Sequence, residues 1–200
     1  MTHPIVATAR GWIGTRFHHQ GRLRKTESHK GGVDCLGLLA GVAAELDLRG
    51  PDGKPLIAAD ETDYAHQPDT KRLYARLSAL LTPIPQGGIS PGDILLLSID
   101  ESPQHLAIVS DFSATFPLPS GEGGATRCAS APARRERRVR EHQHTDKHNM
   151  FQCPHPSPLP GGEGTGLGII HAYAPARAVV EHLLDDWWRQ RIEAAFRAIS

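Results

Sequence analysis

The chain has 200 residues, 39% of them hydrophobic and 22% charged, with 22 basic and 22 acidic side chains and no formal net charge. That balance lacks the electrostatic footprint of a nucleic-acid or anionic-membrane binder, and no apolar run approaches the ~20 residues that span a bilayer. Three cysteines, Cys35, Cys128 and Cys153, are too sparse and too odd in number for a disulfide framework. Met1 to Ile13 show neither the apolar core nor the small-residue cleavage site of a signal peptide, so synthesis in the cytoplasm without a leader is expected. A single domain over 1–200 is expected, long enough to bury a core without covalent staples.

Residues 2–14 read as a short helix, with Thr2 as N-cap, Ile5, Ala9, Trp12 and Ile13 at helical spacing, and Gly14 as its end. Residues 15–34 are polar and rich in Gly, His and basic side chains, which predicts a loop. Cys35 to about Leu48 is the best helical pattern of the first half, with Leu38, Leu39, Val42, Ala43 and Leu46 along one face. Gly50-Pro51-Asp52-Gly53 reads as a turn, and 69–82 as a helix with Leu73, Leu77, Leu80 and Leu81 inward. A turn at Ile89–Asp93 feeds a strand over Ile94–Leu97. Leu106–Val109 follows as a second strand, paired with the first through a tight loop near 100–104. Leu167–Tyr173 predicts another strand, and Ala178–Val180 a further strand or a helix entry. Residues 181–198 predict an amphipathic helix bearing Leu183, Leu184, Trp187, Trp188, Ile192 and Phe196.

Residues 113–167 break this pattern. They are rich in Pro, Gly, Ser, Ala and Arg, and a segment recurs within them: Pro117-Leu118-Pro119-Ser120-Gly121-Glu122-Gly123 returns as Pro158-Leu159-Pro160-Gly161-Gly162-Glu163-Gly164. A near-copy at both ends of a low-complexity stretch reads as an insertion, and two copies are too few for a solenoid. Such composition does not offset its own ordering entropy, so a disordered surface loop is expected. Loop closure costs little more for a long loop than for a short one, so the host fold tolerates it if the loop's ends are close together.

The residues that suggest chemistry are Cys35, His105 and His171. Cys35 stands where a glycine-rich loop gives way to a helix, a position where N–H groups and the helix dipole favour the thiolate. His105 opens the strand pattern His105-Leu106-Ala107-Ile108-Val109, and His171 closes Gly168-Ile169-Ile170-His171. Cysteine, histidine and a polar orienter are the parts of a nucleophilic acyl-transfer site. A free cysteine on a helix is more often a packing residue, so the neighbouring blocks decide between the two readings.

Those blocks resemble the NlpC superfamily of papain-like cell-wall peptidases, in the branch found in phage tails and gene transfer agents. Trp12-Ile13-Gly14-Thr15-Arg16-Phe17-His18-His19-Gln20-Gly21 followed by Asp34-Cys35-Leu36-Gly37-Leu38 is similar to that branch's nucleophile block. Pro91-Gly92-Asp93-Ile94-Leu95-Leu96 with His105-Leu106-Ala107-Ile108-Val109 is similar to its base block. Ile169-Ile170-His171-Ala172-Tyr173 with Val179-Val180-Glu181 and Trp187-Trp188-Arg189 is similar to its C-terminal block. The resemblance implies an α+β papain-like fold, N-terminal helices packed on a small antiparallel sheet. It implies attack of Cys35 on a peptide carbonyl, His105 as acid and base, and His171 in the third position holding the base's tautomer. It implies stabilisation of the oxyanion by the Cys35 amide, and a structural or substrate-amine role for Asp34. The implied substrate is a peptide bond of bacterial peptidoglycan, in the family the bond between D-glutamate and the diamino acid of the stem peptide. The implied setting is a tail particle acting on the cell wall beside other tail proteins, with no metal and no organic cofactor.

Two departures stand out. Phe17 occupies the place where many relatives carry a tyrosine beside the active site, so Phe17 keeps a substrate-facing ring but lacks the hydroxyl, which predicts reduced activity or altered substrate choice. The insertion separates two strands that are near neighbours in the family, and displacement of His171 would follow if it splayed them. Two further readings are therefore kept: a tail component that retains the peptidase fold without activity, and an amidase or acyltransferase on the same scaffold. Cys128, His142, His144, His148, Cys153 and His155 fit no spacing that closes a zinc site. The basic run Arg134–Arg140 reads as a solvated face, His18 and His19 as loop residues near the cleft, and Trp187 and Trp188 as core and surface cover.

Overall fold

A computed structural model describes residues 1–60, 64, 70–99, 102–113 and 165–198. The first half supplies helix α1 (Pro4–Arg10), the short strands β1 (Arg22–Leu23) and β2 (Gly32–Val33), helix α2 (Cys35–Glu45) and helix α3 (Thr70–Leu80). Strands β3 (Thr82–Ile84), β4 (Ile94–Ile99), β5 (Ser102–Ser113), β6 (Thr165–Tyr173) and β7 (Ala178–Leu183) follow, then helix α4 (Asp186–Arg189) and strand β8 (Ile192–Arg197). The main sheet is antiparallel, in the order β3-β8-β4-β5-β6-β7, and β1 pairs with β2 as a separate ribbon. The fold is thus mixed helix and antiparallel sheet. No helix among the described residues is long and apolar enough to cross a membrane.

The run Ile94-Leu95-Leu96-Leu97 is buried at every position because β4 is central and covered on both sides. On one face Ile94, Leu96, Leu106, Ile108, Ile170 and Phe196 pack with residues of α1, α2 and α3. On the other, Leu95, Leu97, Ala107, Val109 and Ile169 pack with Leu184, Trp188 and Ile192. The turn before β4 is built locally. Gly92 adopts φ +93°, a conformation that disfavours a side chain, and Asp93 accepts from the Ser90 amide at 2.7 Å. The same carboxylate takes the Arg197 guanidinium at 2.7 Å, which ties this turn to β8.

Several expectations need correction. The helix expected over 181–198 is instead strand, one helical turn, and strand. Leu184, Trp188 and Ile192 do share a face, but they do so because the chain wraps that side of the sheet. The free N–H and C=O groups along β4 and β3 recruit 192–197 into the ladder, and this tertiary pairing outweighs the local helical spacing. The first helix is capped by His3, whose ring accepts from the Ile5 amide, rather than by Thr2, and it stops at Arg10. Helix α2 stops at Glu45, and the expected loop over 15–34 contains the β1–β2 ribbon. Ser113, Thr165 and Gly166, expected within the insertion, are strand residues, and Ser113 pairs directly with Thr165. The two ends of the intervening stretch are therefore adjacent, and β5 and β6 are sheet neighbours. The rest of the expected insertion lies outside the described residues.

Candidate active site

The segment leading to Cys35 is fixed from both sides. Gly14 donates to the Val179 carbonyl at 2.9 Å, Val179 donates to Thr15 at 2.8 Å, and Phe17 donates to Arg177 at 2.8 Å, docking 14–17 on the start of β7. Val33 donates back to Arg16 at 2.9 Å, so β2 lies against that docked segment and delivers Asp34 and Cys35 immediately after it. Asp34 is the N-cap of α2, accepting from the Gly37 amide at 2.9 Å. Cys35 is the first residue of the helix.

Gly37 permits the close approach this geometry needs. A β-carbon at that position would lie 2.0 Å from the Gly21 carbonyl oxygen, so the helix packs backbone to backbone against the start of the ribbon.

The Asp34 carboxylate, 4% exposed, is a hub of donors. Besides Gly37 it accepts from the Gln20 amide at 2.7 Å, from Arg22 at 3.2 Å and from the Tyr64 hydroxyl, with His19 at 3.9 Å. Arg22 also holds Asp60 through two nitrogens at 2.8 and 2.9 Å. A buried carboxylate with so many donors holds the nucleophile's loop in place.

Burial, and then the negative charge of Asp34, push the Cys35 thiol up to about 11 from an ordinary value of 9.0. The amides of Leu106, Leu36 and Cys35 itself point at the sulfur and favour the thiolate, but they do not offset the first two effects. This corrects the expectation drawn from helix position alone. The helix dipole contributes about 0.3–1 kcal/mol, less than desolvation beside a carboxylate costs.

The Leu106 amide at the sulfur puts His105, one residue earlier on β5, at the same end of the strand as the thiol. The β5–β6 ladder ends at Ile108 opposite Ile170. Beyond that end the two strands are joined through their rings, His105 Nε2 lying 2.6 Å from His171 Nδ1. The intervening stretch of chain has therefore not parted His171 from His105. Burial first, and the charge of His182 second, push His105 down to about 4. Burial likewise pushes His171, which is fully buried, well below the ordinary histidine value. Tyr173 stacks on the His171 ring at 5.0 Å and Trp188 meets it edge-on at 5.0 Å, so its orientation is enclosed by aromatic walls.

Three further residues belong to this neighbourhood and were missed in the sequence. Arg22 and Tyr64 reach Asp34 from positions with no distinguishing pattern. His182 on β7 continues the histidine chain, its Nε2 2.8 Å from His171 Nε2 and its Nδ1 3.0 Å from the Leu183 carbonyl. The available signal for His182 was alternation. It pairs with Ile169, two residues from His171, and so shares that face of the sheet. Phe17 packs with Cys35 against the helical side of the core. The tyrosine hydroxyl in this region comes instead from Tyr64.

Among the described residues no group of three or more His, Cys, Asp or Glu side chains is arranged to hold a metal ion. The cysteines and histidines of 128–155 lie outside the described residues. No family model matches the chain, and neither does any curated protein.

Proposed function

We propose that the protein is a cysteine peptidase that cleaves peptide bonds in the stem peptides of bacterial peptidoglycan, as a component of a phage tail or gene transfer agent. The observation that carries the chemistry is the convergence of three elements. Cys35 at the start of α2 receives the Leu106 amide, and the adjacent His105 is hydrogen-bonded to His171 at 2.6 Å. The substrate class and the tail setting rest on the three sequence blocks that resemble the NlpC superfamily.

In this reading the resting pair is neutral thiol and neutral imidazole. As the sulfur attacks the carbonyl carbon, His105 takes the thiol proton. In this reading the Cys35 amide helps to stabilise the developing oxyanion. His105 then gives that proton to the leaving amine and the C–N bond breaks, leaving a thioester. Water, deprotonated by His105, cleaves the thioester and regenerates the thiol. Asp34 takes no part in proton transfer, because its oxygens are already engaged by Gly37, Gln20, Arg22 and Tyr64.

The test is incubation of the full chain with soluble peptidoglycan fragments, followed by mass spectrometry of newly exposed amino groups, beside Cys35→Ala and His105→Ala. Cleavage by the wild type alone supports the proposal. Folded wild type indistinguishable from Cys35→Ala refutes it and favours a second reading, a tail component that keeps the fold without turnover. The raised thiol is the observation on that second reading's side.

A further inference from the structure

We propose that His182 is a positioning residue: the Leu183 carbonyl, acting through His182 and His171, fixes the tautomer of His105 so that its lone pair is on Nδ1. This rests on the reading of Cys35 and His105 as nucleophile and base. The three rings form one continuous chain, His105 Nε2 to His171 Nδ1 at 2.6 Å, His171 Nε2 to His182 Nε2 at 2.8 Å, and His182 Nδ1 to the Leu183 carbonyl at 3.0 Å.

A carbonyl oxygen only accepts, so the chain has a direction. His182 must carry its proton on Nδ1, and in a neutral ring this leaves Nε2 as an acceptor. His171 must then donate from Nε2, which makes its Nδ1 an acceptor. His105 must donate from Nε2, which leaves Nδ1 bare. A base that takes a thiol proton needs that nitrogen bare, and the nitrogen engaged by His171 is the other one. Each ring thus transmits the same constraint, and one backbone carbonyl on β7 sets the protonation of a base on β5.

The two inner rings are buried, so solvent does not compete to supply a partner. Among the described residues, His171 and, behind it, His105 are the titratable groups seen to face His182, while Trp188 packs on its ring at 5.2 Å. Glu181, next along β7, points away and binds Arg10 at 2.7 Å. Without an acceptor at 182, His171 gains nothing by holding its proton on Nε2. It can then donate from Nδ1 to His105, which moves the His105 proton to Nδ1 and blocks the base.

Long-range 1H–15N correlation NMR of the full chain near pH 8 reads these tautomers directly in neutral rings, with assignments from single His→Gln variants. The expected wild-type result is Nε2–H at His105 and His171 and Nδ1–H at His182. His182→Gln, whose side-chain carbonyl accepts, keeps His105 in the Nε2–H form. His182→Val, which has no acceptor, shifts it toward Nδ1–H. If the wild type cleaves peptidoglycan fragments, His182→Val lowers kcat at least about tenfold with KM changed less than about twofold, and His182→Gln restores it. Nδ1–H at His105 in the wild type, or an unchanged His105 tautomer in folded His182→Val, overturns the proposal. If His182→Val does not fold, the wild-type and Gln tautomers decide. The tautomers are read without substrate, so failure of the peptidase reading remains distinguishable from failure of this one.

Discussion

Alkylation of Cys35 as a function of pH tests how the fold sets the state of the thiol. Iodoacetamide reacts with the thiolate, so its rate follows the ionised fraction. An ordinary thiol at 9.0 and one pushed up to about 11 differ by two decades in that fraction. At neutral pH, Cys35 should therefore react about a hundredfold more slowly than a free cysteine of equal access. Its rate should climb about tenfold per pH unit without a plateau until beyond pH 10. Peptide mass spectrometry of the pulsed reaction measures this directly, with Cys128 and Cys153 as references in the same molecule. Asp34→Asn separates the two causes. Asparagine still caps the helix but removes the negative charge, so the midpoint should fall while remaining above the ordinary value, because burial is the larger effect. A plateau with a midpoint below pH 8 in the wild type would refute the argument. It would mean that the amides at the sulfur, or an imidazolium at His105, outweigh burial and Asp34.

Other perturbations test the surrounding structure. His105 is depressed from 6.5 to about 4, so the unfolded chain takes up its proton first; stability is intact above about pH 6.5 and falls as pH drops toward 4, by roughly 3 kcal/mol from this group, measurable by urea melts. The thiol acts in the opposite direction, since the unfolded chain ionises first between 9.0 and about 11, and Cys35→Ala should flatten that alkaline loss of stability. Gly37→Ala places a carbon 2.0 Å from the Gly21 oxygen, and since backbone must move, a loss of about 1–3 kcal/mol is expected in thermal or denaturant melts; an unchanged midpoint would contradict the close packing of α2 on the ribbon. Tyr64→Phe removes a hydroxyl from Asp34 and should cost about 1 kcal/mol, while Phe17→Tyr should leave that loss uncorrected because its ring packs elsewhere in the site; recovery of stability in the double variant would show otherwise.

The parts of this protein that the sequence by itself determined are those built from local rules. The apolar spacing after the glycine-rich loop starts a helix at Cys35, and α2 begins there; its cap, Asp34, came from the structure. Pro91-Gly92-Asp93 before four apolar residues makes a turn and a buried strand, and the partner strand with His105 follows it. Cys35, His105 and His171 were legible as candidates because each opens or closes an apolar pattern in the sequence, although the structure extends β5 and β6 past His105 and His171. The C-terminal segment was not legible, because Leu and Trp at intervals of three and four satisfy a helix and also a chain folding over a sheet; pairing with β4 and β3 decided between them.

The hub of Arg22, Tyr64 and Asp34 and the chain of three histidines join residues of different elements, and strand pairing and loop docking, which local spacing does not encode, bring them together. The charge on the thiol belonged to tertiary structure as well. Helix position favours a thiolate, but ionisation depends on how much water and which charges the folded chain leaves beside the sulfur. Burial and Asp34 reverse the local preference.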